Sequence, residues 1–184
     1  MKKSYLIVGG ILLFVLIIFL AYRSSYNTAI SLQEEVDKSW GNVGAAYQRR
    51  ADLISNLVET VKGAAANEKD ILTKVTNARA GIAKAQTPED IEVLGREINS
   101  AINLAFEAYP EIRSTENFRD LQKDLSGSEN RINKARTDYN ESVKAYNTHI
   151  RGFFNSMFLN SETFPKKEAF KEAAGSEIAP KVKF

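Results

Sequence analysis

The residues best able to do chemistry in this chain are few. His149 is the single histidine and there is no cysteine, so disulfide frameworks, thiolate nucleophiles, zinc knuckles and lipid attachment through an N-terminal cysteine are excluded. A carboxylate-bridged metal pair in a helical bundle needs inward-facing Glu-x-x-His pairs, but the residue three before His149 is Tyr146. A Ser-His-Asp arrangement would have to use the same histidine, and no strand-to-helix elbow presents a serine to it. The carboxylates Glu34, Glu35, Asp52 and Glu59 have basic neighbours at helical spacing, the pattern of a solvated helix face rather than of an acid and base poised against one substrate. These residues predict a protein that is not an enzyme and has no catalytic, metal or cofactor site. They place His149 on a solvated helix surface.

The elements that would position any of these groups read as helices throughout. Val36, Trp40, Val43, Tyr47, Ile54, Leu57 and Val61 recur in alternating steps of four and three, one stripe of an α-helix, with Arg50 in the missing seam position. This helix begins near Ser25, or continues from the preceding apolar run, and Gly63 is placed to end it in a left-handed cap. A second helix is marked by Ile71 or Leu72, Val75, Ala78 and Ile82 and closes by Gln86. Thr87, Pro88, Glu89 and Asp90 then supply a capping hydroxyl, a proline at the first helical position and two acids. Ile91, Leu94, Ile98, Ala101 or Ile102 and Ala105 carry the third stripe to Tyr109 and Pro110. The fourth starts at Ser114 or Thr115 and runs through Phe118, Leu121, Leu125, Ser128, Ile132, Ala135, Tyr139, Val143, Tyr146, Ile150 and Phe153 to Met157. No segment has strand periodicity and none is a glycine-rich phosphate loop. Short connections make neighbouring helices antiparallel. The expected fold class is all-α: an N-terminal transmembrane helix, then an elongated antiparallel bundle of two long and two short helices, then an irregular tail. The divisions fall at residues 1–24, 25–159 and 160–184.

The transmembrane assignment rests on Tyr5 to Tyr22, uncharged and interrupted only by Gly9 and Gly10. As a helix the run covers about 27 Å, near the hydrocarbon thickness of a thin bilayer. No small-x-small cleavage site follows it, which favours an uncleaved anchor over a secretory signal. Three of the 25 basic residues, Lys2, Lys3 and Arg23, flank this run, so the rest of the chain with its 23 acidic residues is close to neutral. That leaves no basic footprint for a nucleic-acid partner. Lys2 and Lys3 before the span favour a cytoplasmic N-terminus and an extracytoplasmic body.

Polar residues inside the seams are the remaining candidates for a role. Pairing the first helix with the fourth sets Arg50 against Ser128 and Glu129, and a buried arginine needs a carboxylate; Arg49 and Arg50 are therefore expected to meet Glu129 in the interior. Tyr-Asn occurs three times, at Tyr26–Asn27, Tyr139–Asn140 and Tyr146–Asn147; buried phenols and amides want partners and so fix register. Tyr139, Asn140, Tyr146 and Asn147 are accordingly expected to make interior polar contacts. Near the stem, Tyr26, Trp40, Tyr139, Tyr146, Phe153, Phe154 and Phe158 exceed what a two-helix seam encloses; either the tail buries them, or Tyr26, Trp40, Phe153, Phe154 and Phe158 face lipid or a partner such as another copy. The tail, with Pro165 and Pro180 and spaced Phe164, Phe170, Ile178, Val182 and Phe184, is expected to dock rather than stay disordered.

Several long motifs carry a family resemblance. RRADLISNLVETVKG (49–63), TENFRDLQKDLSGSENRINKARTDYNESVKAYN (115–147) and the ending APKVKF resemble the LemA family, from the stem to the final phenylalanine. Ser55 stands where that family usually has proline, and GFFNSMFLN after Arg151 replaces a stretch that usually has phenylalanine followed by proline, so helix four is expected to run on further. The resemblance implies a single-pass bacterial cell-membrane protein whose helical domain has no established catalysis, with suggested roles in membrane organisation and in association with membrane proteases. The function expected is a self-associating scaffold that organises the membrane or its proteins. The alternative is an extracytoplasmic sensor or adaptor that binds a membrane protease or another membrane partner.

Overall fold

The apolar run and the first stripe form one helix. In the computed structural model, which describes residues 2–60, 68–108 and 116–171, α1 spans Lys2–Thr60 without interruption. It is followed by α2 (Glu68–Ile82), α3 (Pro88–Ala108), α4 (Glu116–Ile150) and the short α5 (Asn155–Phe158), and no strand occurs among the described residues. The expected ends at Val61–Gly63, Tyr109–Pro110 and Ser114–Thr115 lie outside the described residues, as do Ile178, Pro180, Val182 and Phe184 of the tail.

The chain divides into two compact units. One comprises residues 1–42 with 141–167, the other 43–140 with 168–184. In the first, no part of the run Tyr5–Tyr22 is buried; its large apolar side chains are 41% exposed or more. Beyond it Ala29 and Val36 of α1, Val143 and Tyr146 of α4, and Leu159 and Phe164 of the tail are buried.

In the second unit the stripes of four helices supply the core. Val43, Tyr47, Ala51 and Ile54 come from α1, Ile71, Val75 and Ala78 from α2, Ile91, Ile98 and Ala105 from α3, and Leu125, Ile132 and Ala135 from α4. The start of α3 is fixed locally. The Asp90 amide donates to Thr87 Oγ1 (3.2 Å), and the amides of Thr87 and Gln86 donate to Asp90 Oδ2 (3.0 and 3.2 Å), a reciprocal capping box with Pro88 at the first helical position. Hydrogen bonds from Thr87 and from these amides hold the Asp90 carboxyl below the usual range. The cap is complete above an ordinary carboxylate pKa and is lost as pH falls through the lowered one.

Close approach of α1 to α3 depends on Gly95. A Cβ built there would lie 2.7 Å from Tyr47 Cε1, whereas one at Gly127 meets nothing within 4 Å. Gly95→Ala is expected to cost about 1–3 kcal/mol through overpacking, while Gly127→Ala gains up to about 1 kcal/mol of helix propensity. Urea unfolding of the detergent-solubilised protein, followed by circular dichroism, measures both.

The expected continuation of helix four to Met157 is corrected. Helical hydrogen bonding ends with Arg151 N donating to Asn147 O (3.2 Å); Gly152 N then turns back to His149 O (3.1 Å). Asn155 Nδ2 also donates to His149 O at 2.9 Å. A side chain from beyond the break thus serves as the C-terminal cap of α4, and the chain restarts as α5 at Asn155.

Candidate functional site

Asparagine offers a donor and an acceptor in the same arrangement as a peptide group, so on a helix surface it can hold a passing extended chain from both sides. The Tyr-Asn pairs of α4 do this. In the first unit Asn147 Nδ2 donates to Lys167 O (2.8 Å), Lys167 N donates to Asn147 Oδ1 (3.0 Å), and the Tyr146 hydroxyl donates to Pro165 O (3.1 Å). The second unit repeats the device: Asn140 Nδ2 to Phe170 O (3.1 Å), Phe170 N to Asn140 Oδ1 (2.8 Å), and the Tyr139 hydroxyl to Glu168 O (2.9 Å). Residues 160–171, the described part of the tail, form no strand or helix to pair their peptide groups, and these side chains replace that pairing.

Its aromatic residues Phe164 and Phe170 are seated as well. Phe164 meets Tyr26 edge-on with centroids 5.2 Å apart, and Phe170 meets Tyr139 at 5.5 Å with the Arg136 guanidinium 4.6 Å from its ring centre. Such pairs add to burial through the ring quadrupole. Burial raises the Tyr146 phenol above its ordinary pKa, and the carboxylate of Asp37 adds to the rise.

Five charged residues of the second unit line a cleft of about 190 Å³ bounded by Tyr47, Arg50, Glu92, Gly95, Arg96, Asn99, Glu129, Ile132 and Arg136. Arg50 forms an ion pair with Glu129, their side chains 14% and 48% exposed. Burial lowers the pKa of Arg50, with Tyr47 opposing the shift, and its Nε is buried with no partner. Arg136 pairs with Glu92 at 2.7 Å. Burial raises the Tyr47 phenol against the opposing pull of Arg136. Two of the cleft's three arginines, Arg50 and Arg136, are opposed by its two glutamates, and Arg96 adds one further positive charge to the lining. The cleft contains no nucleophile beside a base, and among the described residues no three acidic or histidine side chains converge to hold a metal.

His149 is not the solvated surface residue expected. Its Nε2 lies 3.0 Å from Ser25 O, a pure acceptor, and its Nδ1 lies 3.3 Å from Asn155 Nδ2. A carbonyl only accepts, so Nε2 is the donor to Ser25 O. Ser25 Oγ donates to Asn155 Oδ1 (2.8 Å) and closes the network. The interaction was invisible from local pattern because its partners lie 124 residues upstream and beyond the break of α4.

The other expected site residues divide. Arg49 is exposed, about 100° around the helix from Arg50, and lies off the seam. Ser128 is buried, but its hydroxyl donates to Leu125 O (2.7 Å) within its own helix. Of the aromatic set, Phe153 and Phe154 are 76% and 71% exposed. Tyr26, Trp40 and Phe158 are half-buried, Tyr26 against Phe164 and Phe158 against Tyr22. Sequence reasoning missed Asn155, Arg136 and Glu92; the one available signal for the last two was that each directly follows a core position, Ala135 and Ile91.

Such a molecule falls in the class of all-α proteins with an apolar N-terminal helix long enough to cross a membrane. The chain belongs to the LemA family, which matches residues 39–184. Protein LemA of Metamycoplasma hominis is 23% identical over 153 residues, covering 79% of this chain and 70% of that protein. Magnetosome proteins MamQ 1 and MamQ 2 of Paramagnetospirillum magneticum are each 26% identical over 179 residues, covering 78% of this chain and 66% of theirs. The chain thus spans about two-thirds of the length of these curated relatives.

Proposed function

We propose that this chain is a membrane-anchored helical scaffold of a bacterial cell membrane, which self-associates and organises the membrane or its proteins without catalysis. The observation that carries the reading is the continuity of α1 from Lys2 to Thr60. An apolar run whose large side chains all stay exposed belongs in lipid, and α1 leaves it without a break. Family membership and the likeness to magnetosome proteins support a membrane-associated role. The polar groups that meet are engaged in holding helices and tail rather than converging on a substrate. On this reading residues 1–24 anchor the chain, 25–159 form the body and 160–184 fold back as its tail, outside the cytoplasm.

A photo-crosslinking residue at Ile30, 42% exposed on α1, tests the proposal in native membranes. A scaffold yields chiefly products between copies of the chain. A single foreign membrane protein as the dominant product overturns it in favour of an adaptor. Protection of a tag near Phe184 from protease in intact spheroplasts would overturn the extracytoplasmic placement.

A further inference from the structure

We propose that the turn after α4 is a membrane-surface foot, in which Phe153, Phe154 and Met157 enter the boundary between headgroups and acyl chains beside α1. The inference rests on the reading that α1 spans the bilayer. These three side chains are 76%, 71% and 70% exposed, and the two rings meet edge-on at 5.1 Å. Three neighbouring large apolar side chains left this open on a short turn form a patch that water does not favour.

The place of the turn identifies what covers it. Asn155 accepts from Ser25 Oγ at 2.8 Å, His149 donates to Ser25 O at 3.0 Å, and the Phe158 ring meets Tyr22 edge-on at 5.9 Å. The turn is therefore tied to α1 at residues 22 and 25, and Tyr22 is the last residue of the apolar run. When α1 crosses a bilayer, this end of the run lies at the interface, where aromatic side chains are favoured, and the turn lies there with it. Arg23, next to Tyr22, and Arg151, at the start of the turn, are exposed and suit the phosphates of an anionic leaflet. An apolar tip bordered by cations is the composition of an interfacial anchor. With a second contact beside the span, the first unit is held at a fixed tilt instead of pivoting on one helix.

The absence of cysteine permits a direct test. Full-length Leu13→Cys, Phe154→Cys and Glu162→Cys variants are spin-labelled and reconstituted in mixed phosphatidylcholine and phosphatidylglycerol vesicles. Collision of each nitroxide with oxygen, which partitions into lipid, is then compared with collision with a water-soluble nickel complex. The oxygen-to-nickel ratio at Phe154→Cys is expected to be several-fold above that at Glu162→Cys and below that at Leu13→Cys. A water-like ratio at Phe154→Cys with a lipid-like ratio at Leu13→Cys overturns the foot and leaves the anchor standing. Water-like ratios at both overturn the anchor and the foot with it. Spin–spin broadening at Phe154→Cys, lost on dilution with unlabelled protein, shows that a second copy covers the patch and likewise overturns the proposal.

Discussion

Tyr146→Ala is expected to destabilise the protein by about 4 kcal/mol, within the range for removing a fully buried aromatic ring. Tyr146 has no exposed surface and is the largest fully buried side chain among those described, so little can collapse into the space it leaves. Tyr146→Phe keeps the ring and loses only the hydrogen bond to Pro165 O, at about 1 kcal/mol. At roughly 2–4 °C per kcal/mol for a chain of this size, the two variants separate clearly in thermal melts. The phenol also gives alkaline pH a signature. Its folded pKa is raised by burial and by Asp37, so its contribution is complete below the ordinary tyrosine value near 10 and is lost as pH rises through the folded one. Tyr146→Phe should therefore flatten part of the alkaline fall in stability; an unchanged alkaline limb would show that Tyr146 does not contribute to it.

Removal of Glu129 is the second large effect. Arg50 keeps only 14% of its side chain exposed and already has an unpartnered Nε, so Glu129→Ala leaves a mostly buried guanidinium without its carboxylate. Losing one partner of a fully buried pair costs about 3–5 kcal/mol. Because Glu129 is 48% exposed and water can take its place, the expected cost here is about 2 kcal/mol. Arg50→Met with Glu129→Leu should recover most of it, since an apolar pair of similar volume needs no compensation. A double-mutant cycle from urea denaturation measures the coupling. Coupling near zero would mean that Arg50 reaches water in solution.

The helices were legible in the sequence because their signals are local. Val36, Val43, Tyr47 and Ile54 alternate at helical spacing and are buried, and Thr87 and Asp90 cap α3 as their types demand. The opposition of Arg50 and Glu129 followed from the register of two long helices and one charge in a seam. Long-range polar partners were not legible. His149 and Asn155 look like ordinary surface residues until α4 breaks at Ile150, and that break relies on Asn155 itself. The repeated Tyr-Asn pairs were conspicuous, but nothing in their spacing indicated that they hold main-chain groups of the tail. The aromatic residues near the stem were conspicuous in the sequence, but their division between tail contacts and open surface depended on where Phe164 and Phe158 settled.

Light scattering of the full chain in mild detergent, with the detergent contribution subtracted, tests the central claim of an anchored, self-associating scaffold most directly. The protomer mass is 20.5 kDa. One defined mass at an integral multiple of that value, two or higher, is expected to persist across protein concentrations. A protein mass equal to a single protomer throughout would contradict it.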